Sequence, residues 1–209
     1  MLEFPQTTEF GRKVPKQKFY DNANIPASIR RMFVVEIESI IWRNKFSSST
    51  LNVEQGCDVT EIELLQITLR QKSLSKPLLK TIANTIPYHL IFLLEYQEEY
   101  QLRVSYSPPK GNLVWYSTQW KPYDALSLQI KGLNFDDIYE NFVRQIAGEK
   151  LAKGESLQAD VERENARIAL QKRIASLTKK LRSEKQFNRQ VEINRVIRSA
   201  KAELAALND

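Results

Sequence analysis

From Ser156 to Leu207 the chain contains neither proline nor glycine. A stretch of that length, rich in Ala, Glu, Lys, Arg and Leu, has no residue that ends a helix on steric grounds, so it reads as one long helix or a pair of helices. Leu170, Ile174, Leu177 and Leu181 recur at four, three and four residues, the rhythm of a coiled-coil seam. Ile193, Ile197, Ala200, Leu204 and Leu207 repeat it. The two seams are out of phase. At roughly 100° per residue, the sixteen steps from Leu181 to Ile197 leave the second seam about 160° from the first. In a continuous helix the seams would face opposite ways. Ser183-Glu184-Lys185-Gln186 has the form of a capping box and could begin a second helix. With no Gly or Pro nearby, a continuous helix is the expectation. Its first seam would fold back on its own domain, and its second would meet a partner or another copy of this chain.

Charge divides the chain at the same place. Met1 to Glu149 balances 17 Lys and Arg against 17 Asp and Glu, while Lys150 to Asp209 carries 14 against 8, so the whole net charge of +6 lies in the tail. Lys172, Arg173, Lys179, Lys180, Arg182, Lys185 and Arg189 form a row faced by one acid, Glu184. Such a row is either a solvated helix flank or a surface that follows phosphates. No groove-reading motif accompanies it, so nucleic-acid binding through it would be blind to sequence.

Ahead of the tail, the pattern is that of an α+β domain with a small, mainly antiparallel sheet packed with helices. Three segments are expected: a basic N-terminal arm over 1–24 with Arg12, Lys13, Lys16 and Lys18, a domain over 25–147, and the helical tail over 148–209. A helix is expected from Pro26 to Asn44, with Ile29, Met32, Phe33, Ile37, Ile40 and Ile41 on its buried face. Alternation from Glu61 to Arg70 predicts a half-buried strand. Ser75 and Pro77 open a helix to Thr85. Tyr88–Tyr96 is apolar enough for a central strand. Tyr100–Tyr106 and Leu113–Trp120 follow as antiparallel neighbours across the Pro108–Asn112 turn, with a weaker strand over Ala125–Ile130. Asn134 caps a helix from Phe135 to Ile146. Gly148 and Gly154 punctuate a hinge.

Chemistry-bearing motifs are scarce. No phosphate-cradling loop, dinucleotide fingerprint or nucleophile elbow occurs, and the chain has six glycines in all. His89 is the single histidine and Cys57 the single cysteine. Neither a zinc site of those ligands nor an internal disulfide is available, and a lone thiol fits a reducing, cytoplasmic setting. No apolar run is long enough to cross a bilayer, and no secretory signal is visible at the start. A metal-dependent nuclease would have to draw on Glu36, Glu38, Asp58, Glu61, Glu63 and Glu95. It lacks the usual carboxylate-x-Lys pair, because Glu61-Ile-Glu63 places a Glu where the Lys belongs. The cluster of Tyr96, Tyr100, Tyr106, Trp115, Tyr116, Trp120 and Tyr123 suits core packing better than base stacking. No catalytic residue, metal ligand or cofactor is assigned.

Five segments resemble a prokaryotic family of domains of unknown function, numbered 4391 in that series. They are Pro15-Lys-Gln-Lys-Phe-Tyr20, Ile37-Glu-Ser-Ile-Ile-Trp-Arg-Asn-Lys45, Ile86-Pro-Tyr-His-Leu90, Tyr139-Glu-Asn-Phe-Val-Arg-Gln-Ile146 and Glu184-Lys-Gln-Phe-Asn-Arg-Gln-Val-Glu-Ile-Asn194. The family supplies no catalytic residues to transfer. Its members often lie beside DNA methyltransferase and helicase genes in restriction-like, phage-defence loci. The resemblance therefore implies an accessory, non-catalytic subunit of a DNA-acting complex, with a helicase or methyltransferase as partner. Direct binding of nucleic acid by the basic tail and an unconventional nuclease are the alternatives.

Overall fold

A computed structural model describes residues 2–22, 25–108, 113–151 and 156–207. The chain forms two compact units, Met1–Gly148 and Glu149–Asp209.

The first unit is built on a seven-stranded mixed sheet. Its elements are β1 (Glu9–Lys13), α1 (Gln17–Asn22), α2 (Ala27–Glu36), β2 (Ile37–Phe46), α3 (Ser48–Leu51), β3 (Ile62–Leu69), α4 (Lys76–Thr85), β4 (His89–Tyr96), β5 (Glu99–Tyr106), β6 (Val114–Ser117), β7 (Lys121–Pro122) and α5 (Phe135–Ala147). Strands β1 to β6 lie in sequence order, and β7 pairs with β5. Among the described strands β3 and β4 run parallel, joined through α4, and the other strand pairings are antiparallel. The α+β fold expected from sequence is thus the observed one, and β4, β5 and β6 follow one another as antiparallel neighbours.

The expected helix over Pro26–Asn44 is corrected: it stops at Glu36, and Ile37 to Phe46 is strand β2. The Ile spacing there satisfies a helical face and a strand equally well, and β-branched Ile favours the strand. Phe33 closes α2 against the core, and Ile37 and Ile40 enter the same core from β2. The segment 1–24 is not an extended arm either. β1 adds to the edge of β2, and Phe19 of α1 stacks on Phe33 at 5.5 Å. Lys16 Nζ donates to the carbonyls of Phe33 (3.2 Å) and Ile37 (2.5 Å). It thereby satisfies carbonyls that the end of α2 leaves open, which a cation there does well.

Strand β3 is covered on both faces instead of one, with Ile62, Leu64 and Leu65 all fully buried. On one side lie Leu78, Leu79 and Ile82 of α4. On the other, Phe142 of α5 meets Phe46 at 5.8 Å. Ser75 precedes α4 as expected, yet its side chain does not cap; its N–H donates to Glu36 Oε2 at 2.7 Å. Asn134 does cap α5, accepting from the Asp137 N–H at 2.9 Å. Asp136 accepts from the N–H groups of Cys57, Asp58 and Val59 at 2.6, 3.1 and 2.7 Å, folding that loop over the start of α5. Gly56 is needed beside it, because a Cβ there would collide with the Asp136 carboxylate. No strand forms over Ala125–Ile130; Tyr123–Ala125 is a 3-10 turn. The turn over 109–112 and the Gly154 part of the hinge lie outside the described residues.

The second unit is a helical hairpin of α6 (Leu157–Ser183) and α7 (Phe187–Ala206), which pack on each other. A continuous helix is therefore corrected to two. Glu184 makes the break without Gly or Pro. Its Oε1 accepts from the N–H groups of Lys185 (2.9 Å) and Gln186 (3.0 Å), and Gln190 Nε2 donates to its carbonyl at 2.7 Å. A carboxylate thus occupies open donors at the start of α7, where the helix dipole also favours it.

Candidate functional site

The chain reversal frees the two seams from the opposed directions that a continuous helix would impose on them. Ile197 and Ala200 are buried, and Leu170, Ile174, Leu177, Leu181, Ile193, Leu204 and Leu207 are half-buried. None of these nine seam residues, the candidates for docking the domain or a partner, is exposed. The cations point elsewhere. Taking Leu170 as zero and 100° per residue, the α6 seam spans about 340–40°, whereas Lys172, Arg173, Lys179, Lys180 and Arg182 lie at about 120–300°. These five, with Lys185 and Arg189, are all exposed. None of the seven forms an ion pair among the described residues, in contrast to Arg167, which grips Glu164 through two hydrogen bonds of 2.6 and 2.7 Å. Hydrogen bonding from the Gln186 and Lys185 N–H groups, helped by the nearby charges of Arg189 and Lys180, lowers the Glu184 pKa, so the one acid of the row stays ionised. Beside it, at the closed end of the hairpin, Phe187 is 75% exposed and Val191 53%. Helical spacing missed Phe187 because it belongs to neither seam.

A second polar group lies in the sheet. Lys45 of β2 stands opposite Glu63 of β3. Its Nζ bonds Glu61 at 2.7 Å, and the Trp42 indole N–H donates to Glu63 Oε2. The neighbouring strand thus provides the lysine that the Glu61-Ile-Glu63 stretch lacks. Glu63 is fully buried. Burial first, then the hydrogen bond with Glu61, pushes its pKa up to about 9. Burial opposes ionisation of Glu61 as well, but its hydrogen bonds with Glu63 and Lys45 prevail and hold its pKa low. The trio therefore stands as neutral Glu63, anionic Glu61 and cationic Lys45. A sealed, protonated carboxyl is a poor ligand for a hard cation and does not reach a substrate.

The remaining carboxylates do not join it. Glu36 is buried and bonds Ser75, and Glu38 is exposed on β2. Glu95 accepts from Gln66 Nε2 (2.8 Å), Thr68 Oγ1 (3.1 Å) and the Tyr100 hydroxyl (3.2 Å). No group of three or more His, Cys, Asp or Glu able to hold a metal occurs among the described residues. His89 is half-buried against the Tyr139 ring at 4.5 Å, and burial lowers its pKa. Cys57 is exposed. Among the sheet aromatics, Trp115 packs toward Phe92 at 5.9 Å and Tyr100 meets Tyr123 at 5.2 Å, while Tyr116 is buried. No helix among the described residues is long and apolar enough to cross a membrane.

Fold and surface together define a mixed-sheet α+β domain joined to a basic helical hairpin. The chain belongs to the family described as Domain of unknown function (DUF4391), whose model matches residues 2–204. Neither the curated proteins nor the solved structures provide a match to it.

Proposed function

We propose that the chain is a sequence-independent nucleic-acid-binding protein that lays its hairpin along the phosphate backbone. The observation that carries this reading is the row Lys172, Arg173, Lys179, Lys180, Arg182, Lys185 and Arg189, all exposed on a hairpin whose apolar seam residues are not. Unpaired surface cations gain from phosphates through counterion release, with no base contact required. Exposed Phe187 among them offers a ring on which an unpaired base can stack. Placement beside a helicase or methyltransferase in a phage-defence complex is compatible with this role and rests on the family resemblance alone.

The test replaces Lys179, Lys180, Arg182 and Lys185 with Gln in the full chain and measures fluorescence anisotropy with two duplexes of unrelated sequence. Binding should weaken equally for both, and the slope of log K against log salt should flatten by roughly 0.9 for each phosphate no longer neutralised. Unchanged affinity and slope would reduce the row to a solvated flank. A second reading, docking of a protein partner, draws on Phe187 and Val191. It is favoured if Phe187→Ala abolishes partner capture while nucleic-acid affinity stays intact.

A further inference from the structure

We propose that the cavity between β1 and α4 in the first unit binds a nucleotide: a flat base carrying a phosphate.

The cavity measures about 270 Å³. That falls just below the usual range for ligand pockets, roughly 300–1,000 Å³, and suits one nucleotide better than two. Its wall is aromatic: Phe10 and Trp42 pack at 4.7 Å between ring centroids. Its floor is apolar, with Phe19 and Leu65 fully buried. Arg12, Lys13 and Lys18 also line it, all three exposed, and no acid does. None of the three is ion-paired among the described residues. Rings beside unpaired cations form the combination that recognises a base and its phosphate together.

The backbone is arranged around this cavity. The β1–β2 register slips between Glu9 and Arg12, and Gly11 adopts a left-handed φ of 60°. Bulges on edge strands re-aim side chains. Here Phe10 is turned onto Trp42, and the Arg12 guanidinium sits 4.6 Å from the Phe10 ring centre. Behind the wall, Glu63 holds the Trp42 indole N–H and fixes its ring. With its proton kept by burial, the Glu63 carboxyl that holds the indole carries no charge of its own to repel an anion, and the neighbouring Glu61 carboxylate is paired with Lys45. This gives the Trp42–Glu63 pair a purpose that its sealed position denies it as a metal site: it pre-organises one wall of the pocket.

The base and phosphate could belong to a free mononucleotide or to the 5′-terminal nucleotide of a strand. Every lining residue of the site belongs to the first unit, and the variants that test it replace no residue of the hairpin. Calorimetry on the full chain would compare adenosine 5′-monophosphate, adenosine, inorganic phosphate and a 5′-phosphorylated tetranucleotide. The monophosphate or the tetranucleotide should bind roughly tenfold or more tighter than adenosine or phosphate alone. Preference for the monophosphate identifies the free ligand, and preference for the tetranucleotide a strand end. The triple variant Arg12→Gln, Lys13→Gln, Lys18→Gln, checked by near-ultraviolet circular dichroism to keep the native fold, should lose at least that factor. The hairpin variant should bind the monophosphate as the parent does. Three results would overturn the proposal: no heat from either phosphorylated ligand at millimolar concentration, phosphate alone binding as tightly, or a folded triple variant binding unchanged.

Discussion

Replacing Glu63 with Gln tests the buried carboxyl directly. Glu63 carries a pKa of about 9 in the folded chain, against 4.5 as the ordinary value. Between those values the native state holds a proton that the unfolded chain has released. Stability therefore falls as pH rises through that window, by at most about 1.4 kcal/mol per pH unit. From pH 7 to pH 9 the loss from this one group is about 2 kcal/mol, the slope easing as the group begins to ionise. Glu61 works in the opposite sense and elsewhere. Its lowered pKa adds stability that is lost only as pH falls into the acid range, so it does not disturb the alkaline limb. A Gln at 63 keeps a neutral side chain that can still accept from Trp42 and donate to Glu61, and it has no proton to lose. Urea unfolding followed by tryptophan fluorescence at pH 6, 7, 8 and 9 would measure both chains. The parent should lose about 2 kcal/mol relative to Glu63→Gln between pH 7 and pH 9, and the variant should be at least as stable at pH 7. Parallel curves for the two would show that Glu63 is already ionised in the fold, and would remove the neutral wall behind Trp42.

Two further outcomes are expected. Ile197, only 7% exposed, holds the hairpin seam; Ile197→Ala should cost about 2–5 kcal/mol, read as faster amide exchange along both α6 and α7. Slowed or unchanged exchange would mean that the seam is not what holds the two helices together. Asn134→Ala should cost about 1 kcal/mol through removal of the cap on α5, with Asn134→Asp recovering most of it; equal melting temperatures for all three chains would deny the cap its role.

Much of the fold is legible in the amino-acid sequence. The apolar run of β4 and the Asn134 cap each act within a few residues, so local chemistry announces them. Expectation and structure part where two elements obey the same spacing or where the deciding partner is distant. Ile37, Ile40 and Ile41 suit a helix face as well as a strand, and the choice is made by pairing with β3. Lys16 reads as part of a free basic arm because its acceptors, the carbonyls of Phe33 and Ile37, lie 17 and 21 residues away. The break at Glu184 is hidden because a carboxylate does there what Gly or Pro does elsewhere. The seven cations are visible from composition. The Lys45–Glu61–Glu63 cluster is not, since its lysine comes from another strand.

The bulge in β1 has a bearing on solubility as well as on the pocket. β2 is a ten-residue strand whose outer edge is paired with β1 over Ile41–Asn44, with Val14 and Lys16 holding the carbonyls of Ile40 and Ile37 beyond it. A short cover with a glycine kink and exposed Arg12 and Lys13 is a poor template for another strand, and long bare edges invite chain-to-chain pairing. A variant trimmed through Lys13 would uncover Ile41–Asn44, whose freed backbone groups would then be open to pairing with the same segment of a second molecule.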